Sequence, residues 1–266
     1  MKAQYRVAGV RGLMVQYGGN TFSLKLNFKT HLLADRLRGA GIRGVQWISH
    51  ASNSLLIDFD PSQISADDLI RDVRRLEKSG EGDTEVLRSR LIRIPLVYGD
   101  RWTRACAEKF GVAPNLESVA KYNGMSIEEL VHIHSTTTFW VLYVGFTPGL
   151  TIFVPIDPAK RITAPKDTVP RTWTPDRTLA IGGILNSIYS VESPGGYQML
   201  GRTPLLVYDL ERRNPIFERD IVLFKPSDRI IFEPITHEEY LAIERDFSRY
   251  QYRVEEEDWT INQFPD

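Results

Sequence analysis

Three turns dense in glycine and proline carry most of the residues in this sequence whose types and spacing could do chemistry. Gly145-Phe146-Thr147-Pro148-Gly149 follows an apolar run. Gly182-Gly183-Ile184-Leu185-Asn186-Ser187-Ile188-Tyr189 comes next, and Ser193-Pro194-Gly195-Gly196-Tyr197-Gln198-Met199-Leu200-Gly201-Arg202-Thr203-Pro204 completes the set. Glycines this dense let backbone N–H groups approach a ligand and hold a carboxylate or an oxyanion. They suit the corners and tight turns of a small barrel equally well. Arg202 offers a planar fork for an anion, or it closes a barrel through a buried ion pair, with Glu192 as the candidate partner. Tyr189 can donate to a developing oxyanion or simply pack. Gln198 can read an amide edge or point outward from a strand. Arg171, with Lys166 nearby, is either an anion-collecting rim or a solvated basic loop.

His132 and His134 stand two apart, and in an extended segment they would share a face. No Asp, Glu or Cys cluster completes a metal site around them, so no metal is expected. His134 remains a candidate for proton transfer near neutrality, or for a structural hydrogen bond to a loop. Cys106 sits between Ala105 and Ala107 with no histidine at a suggestive spacing, and reads as a small buried hydrophobe. The sequence contains no phosphate loop, no GxGxxG, no HExxH and no GxSxG.

Composition narrows the class further. With 266 residues, 42% hydrophobic and 25% charged, the chain has the make-up of a folded protein of one large or two modest domains. Its 33 Lys+Arg against 34 Asp+Glu leave no global basic field for nucleic acid or anionic lipid. A single cysteine excludes an internal disulfide and fits a reducing compartment. The N-terminus lacks the apolar core of a signal peptide, and no apolar run spans a bilayer. A cytoplasmic protein is expected.

These residues need elements to position them. Tyr5–Val15 reads as a strand, LNFKTHLLADRLRGAG as a helix stopped at Gly39 and Gly41, and GVQWISH and SLLIDFD as a hairpin. SADDLIRDVRRLEKSG reads as a second helix, and LIRIPLVYG as the last strand of a ferredoxin-like βαββαβ pattern. Ser79–Thr84 is the candidate linker. NLESVAKYNGMSIEELVHIHS reads as two short helices broken at Asn123-Gly124, the second capped by Ser126. Beyond Ser135, FWVLYVGF, TLAIGG, SIYSVES, YQMLG, PLLVYDL, IVLFKP and RIIFEPI read as strands of a barrel or sandwich. HEEYLAIERDFSRYQYR is expected to be helical, and Glu255–Asp258 a solvated acidic tail. The expected class is α+β, with domains at 1–90 and 91–235 and a helix and tail at 236–266.

GFTPGL, the Gly-Gly…Ile-Tyr segment and above all SPGGYQMLGRTP resemble the family that contains allophanate hydrolase subunit 1 and the B-type subunit of bacterial 5-oxoprolinase. That family includes the carboxyltransferase domain of urea carboxylase and the sporulation-kinase inhibitor KipI. Its members read GFxPGFxYL, then GxQTGIYP, then SPGGWxxxGRTP. NLESVAKYNGMSIEELVHIHS resembles its DLxxVAxxxGLSxxEVIxxHS, and GVRGLMVQYG its GDxALLVxFG, so the resemblance spans nearly the whole chain. Four places depart from it, one being GFTPGLTIF where the family reads GFxPGFxYL. YGDRWTRACAEKFGVAPNL, with Arg101, Trp102 and Arg104, replaces a short YGGxxGPDL. Leu185-Asn186-Ser187 stands in place of Gln-Thr-Gly, and Ser190 in place of proline.

The resemblance implies a ferredoxin-like domain followed by a cyclophilin-like β-barrel. It also implies a subunit of a heteromeric enzyme that carries out ATP-dependent lactam or amide hydrolysis, or biotin-dependent carboxyl transfer to a small amide, lactam or urea-like acceptor. The anions such chemistry presents are carboxylate, carboxyphosphate and carbamate. Candidate catalytic residues are His134, Tyr189 and Arg202. Candidate substrate-binding residues are Gly145, Pro148, Arg171, Gly183, Asn186, Gly195, Gly196 and Gln198. The implied partner is a subunit-2-type protein with a second cyclophilin-like barrel, beside a biotin carboxylase and biotin carrier or a LamB/YcsF-type subunit. ATP or carboxybiotin would come largely from elsewhere in the complex, and the isolated chain would be inactive. The alternative is a non-enzymatic regulator of the KipI kind.

Overall fold

The computed structural model describes residues 3–19, 21–79, 85–113 and 115–265. Residues 80–84 of the expected linker at 79–84 lie outside the described residues. The chain divides into one unit of Met1–Ser89 with Glu257–Asp266 and a second of Arg90–Glu256.

The first unit begins with a hairpin where one strand was expected. β1 (Gln4–Ala8) and β2 (Gly12–Gln16) pair antiparallel, turning at left-handed Gly9 (φ 64°). α1 (Leu24–Ala40) follows, stopped by left-handed Gly41. β3 (Val45–His50) and β4 (Ser54–Phe59) form the next hairpin, and α2 (Ala66–Lys78) starts where the Ser65 side chain accepts from the Asp68 N–H. Alternation buries Leu13, Val15, Leu55, Ile57 and Phe59 against Leu33, Leu37, Leu69 and Val73 of the helices. The sheet order is β1-β2-β4-β3. The edge expected for LIRIPLVYG is therefore taken by β1, because the N-terminal run folds back on itself at Gly9. LIRIPLVYG belongs instead to β5 (Val86–Tyr98), in a different sheet.

The second unit starts with most of β5. α3 (Arg101–Lys109) is capped by Asp100, whose carboxylate accepts from the N–H groups of Trp102 and Thr103. α4 (Asn115–Tyr122) and α5 (Ile127–Ser135) break at Gly124 as expected, α5 opening with a capping box of Ser126 and Glu129. β6 (Phe139–Val144), β7 (Thr151–Pro155), β8 (Arg171–Thr174), β9 (Thr178–Gly182), β10 (Leu185–Ile188), β11 (Ser193–Gly195), β12 (Gln198–Arg202) and β13 (Arg229–Pro234) follow, then α6 (His237–Arg245) and the first residues of β14 (Val254–Thr260), whose remainder is counted with the first unit. The large sheet runs β12-β9-β10-β7-β6-β13-β5-β14, and β12 also pairs with β5, so seven strands close into a ring. Pro95, which has no N–H, occupies β5 between Arg93, whose N–H donates to Arg253, and Val97, which pairs with β12. The missing donor falls where the neighbouring strand changes.

Every second residue of the ring points inward: Ile92, Ile94, Leu96, Phe139, Val141, Leu179, Ile181, Ile230 and Phe232 form one core. PLLVYDL and IVLFKP do not become strands. They meet only at a Tyr208–Val222 bridge, because the buried Asp209 carboxylate takes hydrogen bonds from Glu211 and Arg213 and bends the chain into turns. The acidic run Glu255–Asp258 is exposed as expected, but lies in β14 rather than in a tail. Helices and sheets together make the chain α+β. Among the described residues no helix is long and apolar enough to cross a membrane.

Candidate active-site cleft

Residue parity on β10 decides which side chains reach a cleft bordered by the glycine-rich turns. Ile188 joins the inner core, so Asn186 also points inward, while Ser187 and Tyr189 face the other side. There they line a cavity of about 390 Å³ together with Tyr143, Ile152, Lys166, Asp167 and Tyr197. Phe146 and Leu150, from the turn after β6, form part of its rim, and Pro194, Gly195 and Gly196 form part of the opposite wall. Gly145 closes that first turn by donating its N–H to Leu150, and the Pro148 carbonyl accepts from Ser190 Oγ. Phe146 holds a left-handed backbone (φ 78°) and is 81% exposed. A non-glycine residue in that region is strained.

The opposite wall explains a glycine. β11 pairs with β8, and a Cβ at Gly195 would overlap the Tyr189 hydroxyl. Only a hydrogen at this position lets the backbone close over the phenol. Burial pushes the Tyr189 phenol up, opposed by the Arg171 cation and by hydrogen bonding to the Tyr197 backbone and Thr174. Burial likewise raises Tyr143, and pushes Tyr197 up to about 12. All three phenols therefore keep their protons at neutral pH.

Sequence reasoning missed Asp167. Arg171 Nη1 pairs with its Oδ2, Gln198 Nε2 donates to its Oδ1 at 2.7 Å, and its backbone N–H donates to the Gly196 carbonyl at 2.7 Å. Arg171 is buried and also donates to the Tyr197 carbonyl at 2.7 Å. Arg171 and Gln198, expected to touch substrate, do not line this cleft but hold the carboxylate of Asp167, which does; Gln198 and Asp167 also border a second cavity beside Asn115 and Tyr122. Arg171 and Gln198 flank Asp167 in space but stand 4 and 31 residues away in sequence. The one local signal was a carboxylate between Lys166 and Arg171. Lys166 Nζ lies 5.0 Å from the Tyr197 ring centre.

Other expected site residues lie elsewhere. Arg202 does not face the cleft, and Glu192 is not its partner. Its guanidinium pairs with the Asp176 carboxylate, donates to the Asp176 carbonyl at 2.9 Å and to Tyr240 Oη at 2.7 Å, and stacks 4.8 Å over Trp102. Three of its five N–H donors are taken by these contacts, each to a group of the fold itself. The Trp102 insertion thus forms the cover of Arg202, with Trp102 packed 4.7 Å from the Tyr240 ring and Arg104 paired to Glu117.

His134 also leaves the site. α5 is helical through Ser135, so His132 and His134 do not share a face: His132 is exposed and His134 buried. Tyr98 Oη lies 2.8 Å from His134 Nδ1, and Phe139 and Phe232 pack on the ring. Burial drives its pKa down to about 3, with only Asn186 opposing, so the ring is neutral at neutral pH. Asn186, turned inward beside it, does not line the cleft. Gly183 is exposed and exchanges backbone hydrogen bonds with Ala164 instead. Cys106 is buried in a small cluster with Ala107 and Met199, and burial pushes its thiol up. No group of three or more metal-ligating side chains occurs among the described residues.

Of the eleven named candidates, Tyr189, Gly195 and Gly196 line the cleft directly. Gly145 and Pro148 shape its rim turn, and Arg171 and Gln198 hold its carboxylate. The arrangement can bind a small, flat, neutral polar group between aromatic and apolar walls, offering hydroxyl donors and one fixed carboxylate acceptor.

The chain is 30% identical over 255 residues to the B-type subunit of 5-oxoprolinase from Bacillus subtilis, covering 91% of this chain and 98% of that protein. It is 28% identical over 272 residues to urea amidolyase of Saccharomyces cerevisiae, covering 95% of this chain but only 14% of the yeast protein. The crystal structure of Kluyveromyces lactis urea carboxylase superposes with a TM-score of 0.85 at 28% identity, over 98% of this chain and 24% of that one. Residues 3–217 match the family described as carboxyltransferase domain, subdomain C and D, and the chain belongs to that family.

Proposed function

We propose that the chain is one subunit of a heteromeric enzyme of the carboxyltransferase or amidohydrolase type, acting on a small amide, lactam or urea-like substrate. Its relatives are enzyme subunits and enzyme domains. The observation that carries the reading is the cleft itself: the glycine-rich segments that resemble the family's motifs border a cavity that presents Ser187, Tyr189 and a clamped Asp167. In this reading Asp167 accepts the N–H of an amide, Tyr189 donates to its carbonyl as negative charge develops there, and Phe146 and Leu150 limit access of water. Arg171 and Gln198 keep the carboxylate in place, as preorganisation requires.

The sheet order β1-β2-β4-β3 with two helices on one face supports a ferredoxin-like reading of the first unit. The closed ring of seven strands supports a cyclophilin-like reading of the second.

ATP and carboxybiotin are the groups implied for the assembled enzyme. A triphosphate does not fit this cleft: Lys166 is the sole cation among its described lining residues, and a fixed carboxylate stands beside it. A ureido ring fits better, being neutral, planar and able both to donate and to accept. Carboxybiotin, when bound, supplies a transferable carboxyl group. Ser187, Tyr189 and Asp167 are the residues suited to hold the ring.

The partner in this reading is a subunit-2-type protein with a second barrel, and the active site is composite. Affinity purification from the native host tests it, with mass spectrometry of what co-purifies. Recovery of a second barrel protein, with turnover of 5-oxoproline or urea only in the complex, is expected. Turnover by the purified chain alone, or failure to recover such a protein, overturns the composite-site reading.

A further inference from the structure

Ser187 is 1% exposed and lines the cleft, yet its hydroxyl has no hydrogen-bond partner among the described residues. Its backbone is pinned on both sides, opposite Ile152 of β7 and Ala180 of β9, so only rotation about one side-chain bond is left to it. A buried hydroxyl without a partner is destabilising, and such groups are rare in folded proteins unless something else completes them. Two residues further on, the protonated phenol of Tyr189 lines the same wall.

We infer that Ser187 is a specificity-determining residue whose hydroxyl donates to the carbonyl oxygen of a planar amide or ureido group seated in the cleft, with Asp167 accepting the N–H of that group. This rests on the reading of the cleft as the substrate or cofactor site. The site selects neutral planar ligands that bear a carbonyl and an adjacent N–H, and disfavours apolar rings of the same size, which would leave the Ser187 hydroxyl desolvated without a partner. A lactam and the ureido ring of biotin share this chemistry, and only direct comparison separates them.

The test is a binding titration of the purified chain, followed by amide chemical shifts, with 2-pyrrolidinone in one arm and biotin in the other. It is run on the wild type, Ser187→Ala and Ser187→Thr, with the melting temperature of each ligand-free protein. Ser187→Ala is expected to weaken binding of the favoured probe about fivefold to tenfold, the equivalent of one hydrogen bond. Its ligand-free melting temperature should not fall, since the hydroxyl it removes has no partner. Ser187→Thr, which keeps the hydroxyl, is expected to bind more tightly than Ser187→Ala. The arm that binds identifies the source of the carbonyl. Equal affinity in wild type and Ser187→Ala, equal weakness in Ala and Thr, or no binding of either probe to the wild type overturns the inference. None of these outcomes bears on recovery of the partner subunit, so a failure here is distinct from a failure of the composite-site reading.

Discussion

Gln198 Nε2 donates to Asp167 Oδ1 at 2.7 Å while Arg171 Nη1 pairs with the other carboxylate oxygen. One oxygen of Asp167 is thus held by a neutral amide and the other by a cation, and the carboxylate cannot rotate without breaking one of the two contacts. Arg171 is buried and depends on this acid for its charge balance. The cleft wall is therefore a structural ion pair and a binding surface at once.

Removing Asp167 should be more destabilising than removing Gln198. Asp167→Ala leaves a buried guanidinium without its counter-ion, and a loss of about 3 kcal/mol is expected. Gln198→Ala removes one hydrogen bond and keeps the ion pair, for a loss of about 1 kcal/mol. Urea denaturation of both variants measures the difference, and equal losses would contradict the clamp.

Arg202→Lys should lower stability by about 2 kcal/mol, because an ammonium cannot reach Asp176 and Tyr240 together or stack on Trp102 as a planar fork does. Activity per folded molecule in the assembled enzyme should be unchanged. Loss of turnover at unaltered melting temperature would place Arg202 back at the chemistry.

His134 makes the fold sensitive to acid. Its folded pKa of about 3 lies below the ordinary histidine value of 6.5, so between these limits the unfolded chain binds a proton that the folded chain refuses. Stability contributed by the neutral ring is present above pH 6.5 and is lost as pH falls towards 3, at up to about 1.4 kcal/mol per pH unit. His50, with a pKa lowered to about 4 by burial, adds a slope of the same sign, while buried Asp100 and Asp228, whose carboxyls are raised, act in the opposite sense. Comparing wild type with His134→Gln isolates one residue. The variant's unfolding free energy should fall less steeply between pH 6 and 4, and parallel curves would disprove the assignment.

Phe146→Gly should weaken ligand binding in the cleft while leaving stability within about 1 kcal/mol of the wild type. Relief of the left-handed strain offsets the added flexibility of glycine, and an 81% exposed ring contributes little burial. Calorimetric melting and the probe titration described for Ser187 read the two effects separately.

Local pattern determined much of the architecture. Capping residues such as Ser65 and Ser126, the break at Gly124 and the alternation of Leu55, Ile57 and Phe59 act over a few residues, so the helices and most strands were legible before any contact was known. The dense glycines at 145–149 and 193–196 likewise marked the segments that border the cleft, because a backbone that must approach Tyr189 tolerates no Cβ at Gly195. Strand partnership was not legible. Whether β1 or β5 occupies the edge of the first sheet depends on competition between a tight local hairpin and a distant segment. Side-chain roles were least legible of all. Arg202 and His134 have the chemistry of a site, but Asp176, Tyr240 and Tyr98 engage them from 26, 38 and 36 residues away. Asp167 becomes a candidate only when Arg171 and Gln198 converge on it. Residue type decides what a group can do, whereas the partners that tertiary folding brings within about 3 Å decide which of those capacities remains free.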